Sequence, residues 1–174
     1  MTAPLLRAYR GKRPVLGREI FVAPTAVVIG DVVLGDEASL WFGTILRGDV
    51  GSIRVGKRTN IQDLSIVHVT GGEADTVIGE EVTVGHRVVV HGCTIEDGAL
   101  VGMGSVLLDG CVIGEGSVVG AGAVVPPGTK IPPRSLVLGV PARVVRPATD
   151  AEARLGRDGA ERYVALAARY RSEE

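Results

Sequence analysis

Aliphatic residues recur every six positions along most of this chain. Val22, Val28, Leu34, Leu40 and Leu46 open the series; it resumes at Val55, Ile61 and Val67, and again at Ile78, Val84 and Val90. A last register runs through Ile95, Val101, Leu107, Ile113, Val119, Val125, Ile131 and Val137. Four residues after each of the first seven of these stands a small residue: Ala99, Ser105, Cys111, Ser117, Ala123, Thr129 and Ser135. A helix repeats near 3.6 residues and a strand near 2, so a period of six belongs to neither as a single element. It describes a short strand plus a turn, repeated, with three such sides closing a coil of about 18 residues. The aliphatic side chains fill the interior, each contributing roughly 1.5–3 kcal/mol. The small residues fit the corners, and Gly30, Gly35, Gly79, Gly85, Gly102, Gly114 and Gly120 permit tight turning. The prediction is an all-β solenoid, a parallel β-helix of hexapeptide repeats over 22–147. A lead-in or cap (1–21) precedes it and a helical segment (148–174) follows.

The register breaks at two places. Val67 to Ile78 exceeds one repeat, and the surplus, G-G-E-A-D-T (71–76), reads as a polar loop leaving one corner. Val90 to Ile95 is one residue short, at His91. With the loop set aside, His68 and His91 lie one coil apart in the same phase, near the strand spacing of about 4.8 Å. That distance suits two ligands of one metal ion, and neutral imidazole is the commonest zinc ligand. His86 is the remaining histidine; it lies on the preceding side, and a neighbouring subunit could bring it to the same ion.

In the tail, Thr149 and Glu152 form a capping box, Asp158 and Glu161 mark a second helix start, and Gly156 and Gly159 suggest a break between them. Tyr163, Leu166, Ala167 and Tyr170 share one helical face. A net charge of −1 argues against a general nucleic-acid binder. No apolar run reaches membrane-spanning length, and Met1–Arg10 lacks the apolar core of a signal peptide, so a cytoplasmic protein is expected. Cys93 and Cys111, one coil apart, should stack at about 5 Å; that permits a disulfide, but a reducing cytosol argues for free thiols.

Several stretches together resemble the γ-class carbonic anhydrases and their relatives: I-L-R-G-D (45–49), N-I-Q-D (60–63), H-V (68–69), G-E-E-V-T-V-G-H (79–86), H-G-C-T-I (91–95) and V-G-M-G-S (101–105). The resemblance implies a left-handed β-helix and a homotrimer with zinc at the subunit interfaces. His68 and His91 would come from one subunit and His86 from the next. It further implies that Gln62 bonds the metal-bound hydroxide, Asn60 supports that pocket, Arg47 and Asp49 form an ion pair, and Tyr163 reaches the site.

On that basis zinc-bound hydroxide would attack CO2 to give bicarbonate, in a lyase reaction whose water is acidified by the metal. Zn2+ is the expected ion, with Fe2+ or Co2+ as alternatives. Val50 stands where active members carry a glutamate, and the 71–76 loop is short, so low activity is expected. The rival readings are a hexapeptide-repeat acyltransferase, a metal-dependent thioesterase acting on an acyl-CoA, and a non-catalytic zinc-stapled trimer.

Overall fold

The interior of the protein is a column of aliphatic side chains stacked coil upon coil. A computed structural model describes residues 4–173. Every aliphatic residue of the six-residue series is buried except Val22, which is half-buried at the first coil, while its neighbour Phe21 is buried on the outer side against Trp41 and Tyr170. The whole is a left-handed parallel β-solenoid of hexapeptide repeats with a C-terminal helix against its side.

Three faces form the prism. The first stacks Leu5–Arg7, the start of Val27–Leu34, the start of Ile45–Val55, Ile66–His68, Val89–His91, Val106–Leu107 and Val124–Val125. The second stacks Val15–Leu16, the ends of Val27–Leu34 and Ile45–Val55, then Thr76–Ile78, Thr94–Ile95, Val112–Ile113 and Lys130–Ile131. The third runs from Phe21–Val22 through Ser39–Leu40, Asn60–Ile61, Thr83–Val84, Leu100–Val101 and Val118–Val119 to Ser135–Gly139; Ala142–Pro147 closes it antiparallel. Val27–Leu34 and Ile45–Val55 each bend round a corner and serve two faces. A register shift at Gly30/Val32 accompanies the bend, which is why the period skips between Leu46 and Val55.

The glycines work differently from the sequence expectation. Of the seven named for turning, only Gly30 has a positive φ. The others mark close approach between coils: a Cβ on Gly114 would lie 2.4 Å from the backbone nitrogen of Pro133. The left-handed turn position is held elsewhere, by Arg58 (φ 58°) early in the chain and Gly104 (φ 70°) later.

The helix, Asp150–Ser172, begins at the expected capping box, with Thr149 and Glu152 bonding each other's backbone N–H. It does not break at Gly156 and Gly159. Both are buried against the third face, where a Cβ on Gly156 would meet the Gly98 carbonyl oxygen at 2.1 Å and one on Gly159 the Thr83 hydroxyl at 2.4 Å. Thr83 Oγ1 donates to the Gly156 carbonyl at 2.8 Å. Farther along, Trp41 packs against Tyr163 and Tyr170, with ring centroids 5.0 and 5.3 Å apart. No helix among the described residues is long and apolar enough to cross a membrane.

At the amino end, Asp31 ties the lead-in to the coils. Lys12 and Arg54 both bind its carboxylate, at 2.5 and 2.7 Å. The hydrogen bond from Lys12 holds the Asp31 carboxyl below its ordinary range, against the cost of burial and with help from Arg54.

Two outcomes follow from this packing. Gly156→Ala should destabilise the protein by about 1–3 kcal/mol in urea denaturation through overpacking, although an exposed helical site would gain roughly 1 kcal/mol from the same change; a neutral or stabilised variant would contradict the close-approach account. For Asp31, the depressed folded value means its stabilisation is present above the unfolded value of about 4 and lost as pH falls through the folded one. The stability gap between wild type and Asp31→Asn should therefore be constant at neutral pH and shrink in acid. A gap that holds its size down through pH ~3 would show that the carboxylate's charge contributes nothing.

Candidate functional site

The first face ends in a chain of four side chains. His68 closes one strand and His91 closes the next, paired residue on residue. Their rings turn toward each other, with His68 Nδ1 and His91 Nε2 3.1 Å apart. The outer nitrogens meet carboxylates: His68 Nε2 lies 3.0 Å from Asp49 Oδ1, and His91 Nδ1 lies 2.7 Å from Asp109 Oδ1. The order is Asp49–His68–His91–Asp109. Arg47 reaches across to Asp49 at 2.5 Å, so that expected ion pair forms within one chain. Thr70, at the base of the loop, donates to Asp109 at 2.9 Å.

Both carboxylates are held ionised. Burial alone would raise the Asp49 carboxyl, but hydrogen bonds from Arg47 and His68 hold it below its usual range. The hydrogen bond from His91 lowers Asp109 more than burial raises it, and Thr70 adds to the lowering.

Gly92 makes this arrangement fit. Its φ is +56°, and a Cβ there would lie 2.1 Å from Asp109 Oδ1 and 2.9 Å from Ala74. The loop is slightly shorter than expected. Thr76 is buried within Thr76–Ile78, where its hydroxyl donates to the His68 carbonyl.

The remaining expected site residues gather elsewhere. His86 turns to Asp63, Nδ1 to Oδ2 at 2.8 Å. Asn60 and Gln62 are buried, with Gln62 Nε2 donating to Asn60 Oδ1 at 3.0 Å and Asn60 Nδ2 donating to Thr83 Oγ1 at 2.9 Å. Tyr163 comes from the helix, and burial, then the nearby Asp63 charge, push its hydroxyl up. The structure thus joins Arg47, Asp49, His68 and His91, and sets His86, Asn60, Gln62 and Tyr163 apart from them.

The three-histidine metal centre is therefore not formed. Among the described residues, no three His, Cys, Asp or Glu side chains gather in a metal-holding group. Coil spacing brings the histidine backbones where expected, but ring rotation is decided by the carboxylates. The expectation of Zn2+, or of Fe2+ or Co2+, is corrected on that geometry. The homotrimer with zinc at its interfaces, which the resemblance implies, is corrected together with the metal site.

Asp109 and Thr70 were absent from the expected site. The signal for Asp109 was available: it follows His91 by 18 residues, one coil, the same stacking rule that paired His68 with His91. Asp63 stood inside the N-I-Q-D stretch with no role given to it.

Comparison with known proteins bears on the chemistry. The bacterial transferase hexapeptide (six repeats) family matches residues 75–109 and 92–127. A hexapeptide transferase family protein from Anaplasma phagocytophilum is 43% identical, with a TM-score of 0.91, over 95% of this chain and 98% of that one. A Bacillus cereus protein provisionally named an acetyltransferase is 38% identical, with a TM-score of 0.96, over 99% of this chain and 100% of that one. A protein of Methanocaldococcus jannaschii named a probable carbonic anhydrase is 45% identical over 151 residues, 87% of this chain and 94% of that protein. The match to gamma carbonic anhydrase 1 of Arabidopsis thaliana mitochondria is local, spanning 28% of that relative's length.

With no three-ligand group and with transferase-family structures matching end to end, the zinc-dependent carbonic anhydrase lyase acting on CO2 and bicarbonate is also corrected. A direct check on the division of the histidines uses the imidazole nitrogen spectra. Asp109→Ala should shift the His91 and His68 resonances and leave those of His86 in place. Equal shifts at all three would mean that the two groups are one.

Proposed function

We propose, from the premise that this chain belongs to the hexapeptide-repeat family of transferase-like and carbonic-anhydrase-like proteins, that it moves an acyl group from an acyl-CoA thioester to a small nucleophile, with the His68–His91 pair as general base. Within that family the γ-type motifs support kinship with the γ-carbonic-anhydrase-like branch, not its reaction.

The observation that carries the reading is the 3.1 Å contact between the two imidazoles, flanked by ionised carboxylates. Two neutral rings have two N–H groups between them, and three contacts need three hydrogens. With both carboxylates accepting, the outer contacts use both N–H groups and two lone pairs face each other in the middle. That is a place for one further proton, the one an attacking amine or alcohol must lose.

The roles follow from position. Asp109 positions His91, and Asp49 positions His68 and is itself held by Arg47. The acceptor's lone pair attacks the thioester carbonyl while its proton passes to the imidazole pair. The carbon–sulfur bond then breaks, and the CoA sulfur leaves with that proton. Arg47, whose side chain is 45% exposed, is a cation at the rim that suits an anionic donor.

The test is direct. Protein mixed with acetyl-CoA and a panel of amines and alcohols should release free CoA in an acceptor-dependent way. His91→Ala should lower that rate by about 10²–10⁴-fold with the fold intact. No acetyl-CoA binding by calorimetry, or full activity in both His68→Ala and His91→Ala, would sink the reading. CoA release that needs no acceptor would instead mark water as the nucleophile.

A further inference from the structure

Two tripeptides lie against each other one coil apart, His91-Gly92-Cys93 on Asp109-Gly110-Cys111. Their first members bond through side chains, at 2.7 Å. Their second members bond through the backbone, with Gly110 N–H donating to the Gly92 carbonyl at 2.6 Å. Their third members are two free thiols, and the pairing of Thr94 with Val112 sets Cys93 opposite Cys111.

In-register parallel neighbours have Cα atoms about 4.8 Å apart, inside the range of disulfides, roughly 4.4–6.8 Å. Their Cβ atoms point the same way and keep about that spacing, whereas a relaxed disulfide needs roughly 3.8 Å. Closing the bond would pinch the two coils together by about an ångström, and strain of that kind makes a disulfide easy to reduce. A permanent staple would be unstrained; this geometry suits a bond that opens and closes.

The surroundings distinguish the two sulfurs. Cys111 follows the exposed turn residue Gly110, and Lys130 Nζ donates to the Gly110 carbonyl at 2.9 Å. A hydrogen bond from Cys93 holds the Cys111 thiol below its ordinary value against the cost of burial, with the Lys130 charge assisting. Exposures of 1% and 0% shut out bulky oxidants, so the oxidant must be close to water in size.

We propose that Cys93 and Cys111 form a reversible dithiol–disulfide couple that a small peroxide oxidises. In the first step the Cys111 sulfur attacks one peroxide oxygen. The O–O bond breaks, the other oxygen leaves as hydroxide and takes the thiol proton as water, and Cys111 becomes a sulfenic acid. In the second step the Cys93 sulfur attacks that sulfur. The S–S bond forms, the S–O bond breaks, and a second water carries away the Cys93 proton. Two thiols and one hydrogen peroxide give one disulfide and two waters; sulfur is oxidised and the peroxide oxygens are reduced. A thiol reductant reverses the bond by exchange when local opening of the strained corner lets it reach a sulfur.

The experiment treats the full chain with hydrogen peroxide, removes the oxidant with catalase, then denatures, alkylates and weighs it. The expected result is a single chain lighter by two hydrogens, with no alkylatable thiol, a peptide joining Cys93 to Cys111, and both thiols recovered in dithiothreitol. Cys93→Ser should stop at a Cys111 sulfenic acid that dimedone, present as the chain is denatured, traps, while Cys111→Ser should react far more slowly at Cys93. The wild-type measurement stands whether or not the variants fold. Two alkylatable thiols after peroxide, oxygen added without loss of hydrogens, or a disulfide between separate chains would overturn the couple. Equal dimedone labelling of the two variants would overturn the order of attack.

Discussion

Parallel pairing of each coil on the next is the constraint from which the rest of this structure follows. It spaces equivalent residues by about 4.8 Å along the axis and repeats that relation at every side of the prism. An aliphatic residue at an interior position within the stack therefore meets another above and below it, as Ile113 does between Ile95 and Ile131 on the second face. The core is a continuous column with no need for aromatic bulk. The few aromatic rings collect outside it, where Phe21, Trp41 and Phe42 meet the helix at Tyr163 and Tyr170.

The same stacking builds the chemistry, at the place where the repeat is least regular. The loop after Thr70 leaves the corner and returns without disturbing the pairing of His68 with His91. The shortened side at Gly92 brings Asp109 within reach of His91, because that residue has no side chain to stand between them. Local irregularity and global register are both needed: a regular repeat would leave no room for the carboxylate, and a lost register would separate the rings.

The helix determines what the third face can do. Its glycines let the backbone of 156–159 sit directly on the coil backbone around Gly98 and Thr83. That contact turns Asn60 and Thr83 from surface residues into buried partners of one another. Asp63, the partner of His86, lies close enough to Tyr163 for its charge to act on that hydroxyl, while the first face keeps the four-membered carboxylate–histidine chain.

The chain's own letters determined the solenoid. The six-residue recurrence from Val28 to Val137 can be satisfied only by burying every repeat in one column, and the capping box at Thr149 marks the helix start by local hydrogen bonding alone. They also determined which backbones would be neighbours, since a residue one coil along is a neighbour by pairing; Asp109 was legible on that rule. Only the tertiary structure decided the rest. The helix runs through Gly156 and Gly159 because close approach outweighs their local conformational cost, and propensity counts only the local part. The histidine rings turn to each other and to Asp49, Asp109 and Asp63, and not to a common centre. Spacing along a sequence places Cα atoms, whereas the rotation of a side chain answers to whichever charge and hydrogen-bond partner stands nearest in space.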